Sequence, residues 1–258
     1  MKKRYFLEIA YNGKNFHGWQ QQHENSKAIT VQDMLTAALR HQLKIADLSV
    51  VGCGRTDAGV HASQYFVHFE CDKDKVLPDN LVFRLNRMLN NDILVKRLID
   101  GLPDNAHARY DATYRAYTYH IHFEKNPFLG DFSYHYPFLP LDFGAMQEAA
   151  ALMLRYDDFP MFCKTGGGSK TTLCNLYKTA LALDETQKTL QFHIAANRFL
   201  RGMVRLTVGT LLCVGKHKIS LKEFKRVLDE KHNRFESMNI AAPPQGLFLC
   251  EVRYPYVI

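Results

Sequence analysis

Asp57 is the residue on which chemistry in this sequence would turn. It lies in GRTDAGVHA (54–62), a tight connection between two apolar, strand-like runs. Gly54 and Gly59 supply the backbone angles that such a turn demands. A turn aspartate often does no more than cap neighbouring amides. The chemical reading starts from what flanks it. Arg55 stands two residues earlier, and the nearest acids along the chain are Asp47 and Glu70. A glycosidase-type carboxylate pair is therefore not suggested locally. A lone carboxylate beside a guanidinium stays ionised, because the cation favours the charged form. Such a group serves as a nucleophile or as an electrostatic stabiliser.

Three further groups carry chemical potential. Tyr117 sits in YRAYTYHIHF (114–123), where alternation puts it on one side with Tyr119, Ile121 and Phe123. That pattern alone describes a core strand. Arg198, Arg201 and Arg205 fall within about 60° of one another on a helix, which makes a basic stripe on a helix expected over about 198–214. Arg84 with Arg87, Lys164 with Lys170, and Lys216 with Lys218 add positive charge in pairs. Two other patterns lead nowhere. KTGGGSKTT (164–172) lacks the glycine spacing of a phosphate-binding P-loop. His120 and His122 share a strand face without a third ligand, so no metal site and no cofactor are expected.

These residues must be held by ordinary elements. Strands are expected at 3–11, 49–53, 64–71 and 92–99, and helices at 31–43 and 79–90. Thr30 is the N-cap of the first helix, with Asp33 three residues on. The order strand, helix, strand, strand, helix, strand suggests a ferredoxin-like α+β unit. The second half repeats the style, with strands at 114–123, 173–183 and 189–196 and a helix at 142–156. Ser220 and Glu223 signal another helix, and QGLFLCEVRY closes the chain as a strand. Two related lobes, 1–105 and 106–258, are expected, with a break near 101–112.

The 258 residues carry a net charge of +7, with 47% hydrophobic and 23% charged residues. That is the composition of a globular protein with an anionic partner, for which RNA is the natural candidate. The six cysteines form no C-x-x-C pair, which argues against a zinc ribbon or a disulfide scaffold and fits buried thiols in a reducing cytosol. The start, MKKRYFLEIAYNG, alternates instead of forming an apolar run, so neither a signal peptide nor a membrane span is expected.

The nine residues around Asp57 resemble the signature of the TruA family of tRNA pseudouridine synthases. YNGKNFHGWQQQ (11–22), TVQ (30–32), AHARYDATYRAYTY (106–119), NRFLRGMVRLTVGTLL (197–212) and AAPPQGLFLCEVRY (241–254) resemble further family segments, in family order. The resemblance implies a pseudouridine synthase fold: two ferredoxin-like, RRM-like α+β lobes with largely antiparallel sheets flanking a central basic cleft. It implies a cofactor-free isomerase acting on uridine in the anticodon stem–loop of tRNA, at tRNA positions 38, 39 and 40. It implies a cytoplasmic homodimer.

The resemblance also gives roles to residues. Asp57 becomes the catalytic acid, which attacks C1′, attacks C6 of the base, or assists a glycal route. Tyr117 packs against the target uracil, Arg205 pairs with Asp57, and Leu247 lines the uracil pocket. Arg55, Arg198 and Arg201 become contacts to the RNA. Cys174 and Leu176 stand near positions where the family usually shows arginine and isoleucine, and Asn90 where proline is common. Two rivals remain: an RNA-binding or chaperone module without catalysis, and a synthase that acts on another RNA uridine.

Overall fold

The computed structural model describes residues 2–22, 27–164, 170–231 and 240–256. They form two compact units, one of Met1–Thr113 with Leu249–Ile258 and the other of Tyr114–Phe248. The architecture is α+β with largely antiparallel strands, as the sequence pattern implies.

In the first unit the elements run β1 (Lys2–Tyr11), α1 (Val31–Leu43), β2 (Val50–Gly52), β3 (His61–Asp72), α2 (Leu81–Met88) and β4 (Ile93–Ile99). This is the expected ferredoxin-like succession. β1 lies between β3 and β4 and is antiparallel to both, and β2 pairs with β3. Tyr5 to Ile9 of β1 are all buried, as befits a central strand covered on both faces. One cover is the C-terminal segment. The ring of Tyr254 meets Phe6 at 5.7 Å and Phe66 at 5.3 Å, both edge to face.

Local chemistry sets the helix boundaries. The Thr30 hydroxyl accepts from the Asp33 N–H at 3.2 Å, and the Asp33 carboxylate accepts from the Thr30 N–H at 3.1 Å. This reciprocal cap starts α1 at Val31. Lys44, in the left-handed region, ends it.

The second unit holds β5 (Tyr114–His122), β6 (Tyr134–His135), α3 (Phe143–Met153), β7 (Leu176–Asp184), β8 (Thr189–Ala196), α4 (Met203–Gly215) and α5 (Leu221–Glu230). β8 pairs antiparallel with β5 and β7. Tyr117, Tyr119, Ile121 and Phe123 are buried together, as their alternation predicts. The Ser220 hydroxyl caps α5 by accepting from the Glu223 N–H at 3.1 Å. The closing strand β9 runs Leu247–Arg253.

One helix boundary differs from expectation by more than a turn. α4 begins at Met203, not near 198, because Gly202 adopts φ 70° immediately before it. Arg198 and Arg201 therefore precede the helix, and only Arg205 belongs to it. The three arginines therefore share no helical face, since a 100° period does not run across a left-handed residue. The glycine loop at 165–169 lies outside the described residues. Among those described, no helix is long and apolar enough to cross a membrane.

Candidate active site

The loop carrying Asp57 joins β2 to β3, and its shape is fixed by the segment that follows β1. Trp19 donates its backbone N–H to the Thr56 carbonyl at 3.3 Å, and Gly59 donates to the Phe16 carbonyl at 3.3 Å. The Thr56 hydroxyl meets the Tyr11 hydroxyl at 2.9 Å in a buried contact. Tyr65 donates its hydroxyl to the Gly54 carbonyl at 2.6 Å. Within the loop, Val60 N–H closes a turn onto the Asp57 carbonyl at 3.2 Å. Backbone groups on both sides of Asp57 are thus held by residues 11–19 and by Tyr65, while Asp57 itself is half-buried.

Glycines make this approach possible. A side chain at Gly18, whose φ is +88°, would place its Cβ 2.5 Å from the Thr56 carbonyl oxygen. At Gly13 the Cβ would lie 2.0 Å from the Val60 carbonyl oxygen. Only glycine permits such contact. Beneath the loop, Trp19 and Tyr65 pack with ring centroids 4.4 Å apart, and Tyr11 meets Tyr65 at 5.5 Å. Trp19 and Tyr65 are almost wholly buried. The floor is therefore a rigid aromatic cluster, and it orients a loop whose outer residues Arg55 and Ala58 are exposed.

The remaining site residues sit in the second unit. The Tyr117 ring is 9% exposed and stands edge-on to Phe199 at 5.1 Å. Phe199 belongs to the turn that carries Arg198 and Arg201. That turn is braced from below: Asn197 accepts on its side-chain oxygen from the Asn175 and Arg198 N–H groups, at 2.9 and 2.8 Å. Buried Arg115 donates to the Asn197 carbonyl at 2.8 Å. Arg198 is half-buried and Arg201 exposed.

Arg205 donates its Nε to the Ala242 carbonyl at 2.7 Å, and Ala242 N–H returns a bond to the Arg205 carbonyl at 2.9 Å. The first bond orients the guanidinium, and the second ties the Ala242 segment to the backbone of the helix. Burial pushes the nearby Tyr119 phenol far up, with Arg205 the cation opposing that rise. Tyr119 donates its hydroxyl to the Pro243 carbonyl at 2.7 Å, so this ring anchors the 240–246 segment as a neutral phenol. Leu247 follows, 5% exposed.

Gly13, Phe16, Gly18, Trp19 and Tyr65, which hold the acid loop, carry no role that residue type and spacing reveal. Most of their work is done by backbone groups, which leave no signature in residue type. The two glycines and the single tryptophan in 11–22 were the available signal. Cys174 is buried at 1% exposure, and burial pushes its thiol up to about 11. Among the described residues no group of three or more metal-ligating side chains occurs.

A family model described as tRNA pseudouridine synthase matches residues 9–111 and 149–255. The chain belongs to the tRNA pseudouridine synthase family. It is 42% identical over 256 residues to a protein of Bacteroides fragilis named tRNA pseudouridine synthase A, covering 99% of this chain and 98% of that one. A relative of the same name from Bacteroides thetaiotaomicron is 42% identical, covering 98% and 91%. One from a Geobacillus species is 35% identical, covering 98% and 99%. Membership makes the chain an isomerase that converts uridine to pseudouridine in tRNA.

Proposed function

We propose that this isomerase acts on uridines of the anticodon stem–loop, at tRNA positions 38, 39 and 40, with Asp57 as the catalytic carboxylate. What carries the reading is the Asp57 loop itself: a half-buried acid whose neighbouring peptide groups are held from a buried aromatic floor. Preorganisation of this kind is what a reacting carboxylate needs.

A uridine in such a stem–loop is stacked or paired, so it must be turned out before Asp57 can reach it. Unstacking costs a few kcal/mol, which contacts to the phosphates and the base offset. In this reading Tyr117 packs on the base and Leu247 forms the apolar wall. Arg205 pairs with Asp57 and orients it. Arg55, Arg198 and Arg201 take phosphates. Pseudouridine is an isomer of uridine: the N1–C1′ bond breaks and a C5–C1′ bond forms, while the C5 proton leaves and N1 is protonated. No oxidant, reductant or group donor enters that balance, in keeping with a reaction that draws on no cofactor. The first unit supplies the acid, and the second supplies Tyr117 and Arg205. The protein works as a cytoplasmic homodimer.

Tritium release tests the chemistry. tRNA labelled at C5 of uridine should lose about one tritium per target site when incubated with the protein. Binding without release would leave an RNA-binding module. Release from uridines outside positions 38–40 would make it a synthase of another site.

A further inference from the structure

Cations on the surface of the first unit are repeatedly answered by acids. Lys3 pairs with Asp100 at 2.7 Å, Lys73 with Asp104 at 3.0 Å and Arg97 with Glu8 at 2.6 Å, and Arg4 pairs with Glu70. α2 departs from that pattern. Its residues, LVFRLNRM, include two arginines and no acid. Neither Arg84 nor Arg87 forms an ion pair or a side-chain hydrogen bond with another described residue.

The two arginines share their face with apolar groups. At 100° per residue, Phe83, Arg87, Arg84 and Met88 fall within about 140° of arc. All four are exposed, Phe83 at 64%. Leu85 and Leu89, both buried, take the inner side. A merely solvated face needs neither an aromatic ring in water nor like charges one turn apart, which repel. A ligand that carries both negative charge and a flat apolar surface satisfies the whole face.

The face is also held still. Asn86 donates its Nδ2 to the Val95 carbonyl at 2.8 Å, and its Oδ1 accepts from the Val95 N–H at 2.8 Å. The amide thus occupies the outer edge of β4 as a neighbouring strand would, and ties α2 to the sheet. The helix ends toward the acid loop. Ile93 of β4 is in register with Tyr11 of β1, and Tyr11 with Ala62 of β3. α2 stops shortly before Ile93, and the acid loop shortly before Ala62. Between them, Asn12 N–H donates to the Asp92 carbonyl at 2.8 Å, and Asn15 Nδ2 donates to the Asp92 carboxylate at 3.0 Å.

We infer that the outward face of α2 docks an unpaired segment of the tRNA, with one base stacked on Phe83 and the flanking phosphates on Arg84 and Arg87. Charge selects the polyanion, since guanidinium groups answer phosphates. The ring selects an unpaired base over a duplex, because a base stacked inside a helix has no free face to offer. The inference stands on tRNA as the substrate of the family and not on the role of Asp57, so a failure of that role leaves it intact.

Equilibrium binding of tRNA to the full-length protein is the test. Arg84→Ala combined with Arg87→Ala should weaken affinity about tenfold and lower the slope of log K against log salt by about 1.4. Phe83→Ala should weaken affinity about tenfold with the slope unchanged, and Phe83→Tyr, which keeps a ring, should bind as the unmutated protein does. A blunt RNA duplex should feel the loss of the arginines but not that of Phe83. The three side chains are exposed, so urea midpoints should not move. Affinity within about twofold of the unmutated protein in the double variant would overturn the phosphate contacts, the result expected of a face that serves a protein partner. The same result in Phe83→Ala, or an equal Phe83→Ala loss on the duplex, would overturn the stacked base.

Discussion

The acid loop and the Arg205 region use the same device to opposite ends. In the first unit, Gly13 and Gly18 let a neighbouring segment close on the loop that carries Asp57. In the second, Gly209 of α4 lets the 240–242 segment close on the helix, and a side chain there would put its Cβ 1.5 Å from the Ile240 carbonyl oxygen. In one case the functional group rides on the segment that is held. In the other it rides on the helix, and the held segment returns a carbonyl to Arg205. The acid is thus positioned by peptide groups on a loop, and the arginine by its own side-chain bond on a rigid element. Loop placement suits a group that must meet a base; helix placement suits a group that orients another.

The comparison can be broken by substitution. Asp57→Asn should lower turnover by about 10⁴-fold or more, since nothing else in the proposed site can supply the missing carboxylate; tRNA affinity should stay within about twofold. Arg205→Ala should lower turnover about 10²–10³-fold, whereas Arg198→Ala should chiefly raise the Kd for tRNA and flatten its salt dependence. Equal turnover losses in the two would merge the roles that the comparison separates. Gly18→Ala forces strain at φ +88° and a clash with Thr56. It should cost about 100-fold in turnover through displacement of the acid and about 2 kcal/mol in stability, the latter read by urea denaturation.

A smaller effect arises in the first unit. Burial, followed by the positive charge of Arg4, pushes His68 down to about 4. Neutral His68 accepts from the Ala108 N–H at 3.1 Å in the first unit. The folded state therefore keeps this ring neutral while the unfolded chain takes up a proton below about 6.5. The contribution is intact above that pH and is lost as pH falls toward 4. Between pH 7 and 5 the loss from this group should be about 2 kcal/mol, and His68→Gln, which retains an acceptor, should remove that contribution.

Much of this arrangement was legible in the residues. Thr30 with Asp33 and Ser220 with Glu223 announce their helices because capping acts between neighbours in sequence. The alternation of Tyr117, Tyr119, Ile121 and Phe123 announces a buried strand face for the same reason. The start of α4 was misjudged because Arg198, Arg201 and Arg205 keep a helical period although Gly202 breaks the helix between them. The clamp on the acid loop was not legible at all. It consists largely of backbone hydrogen bonds between segments about forty residues apart, such as Trp19 N–H to the Thr56 carbonyl. Residue types do not encode such pairings, and only the glycines that permit them leave a trace.

The most direct measurement maps pseudouridine across tRNA from cells that lack this protein, complemented with either the unmutated chain or Asp57→Asn. The account predicts pseudouridine restored at positions 38–40 by the unmutated chain and at none of them by the variant. Restoration by the variant, or no restoration by the unmutated chain, would contradict it.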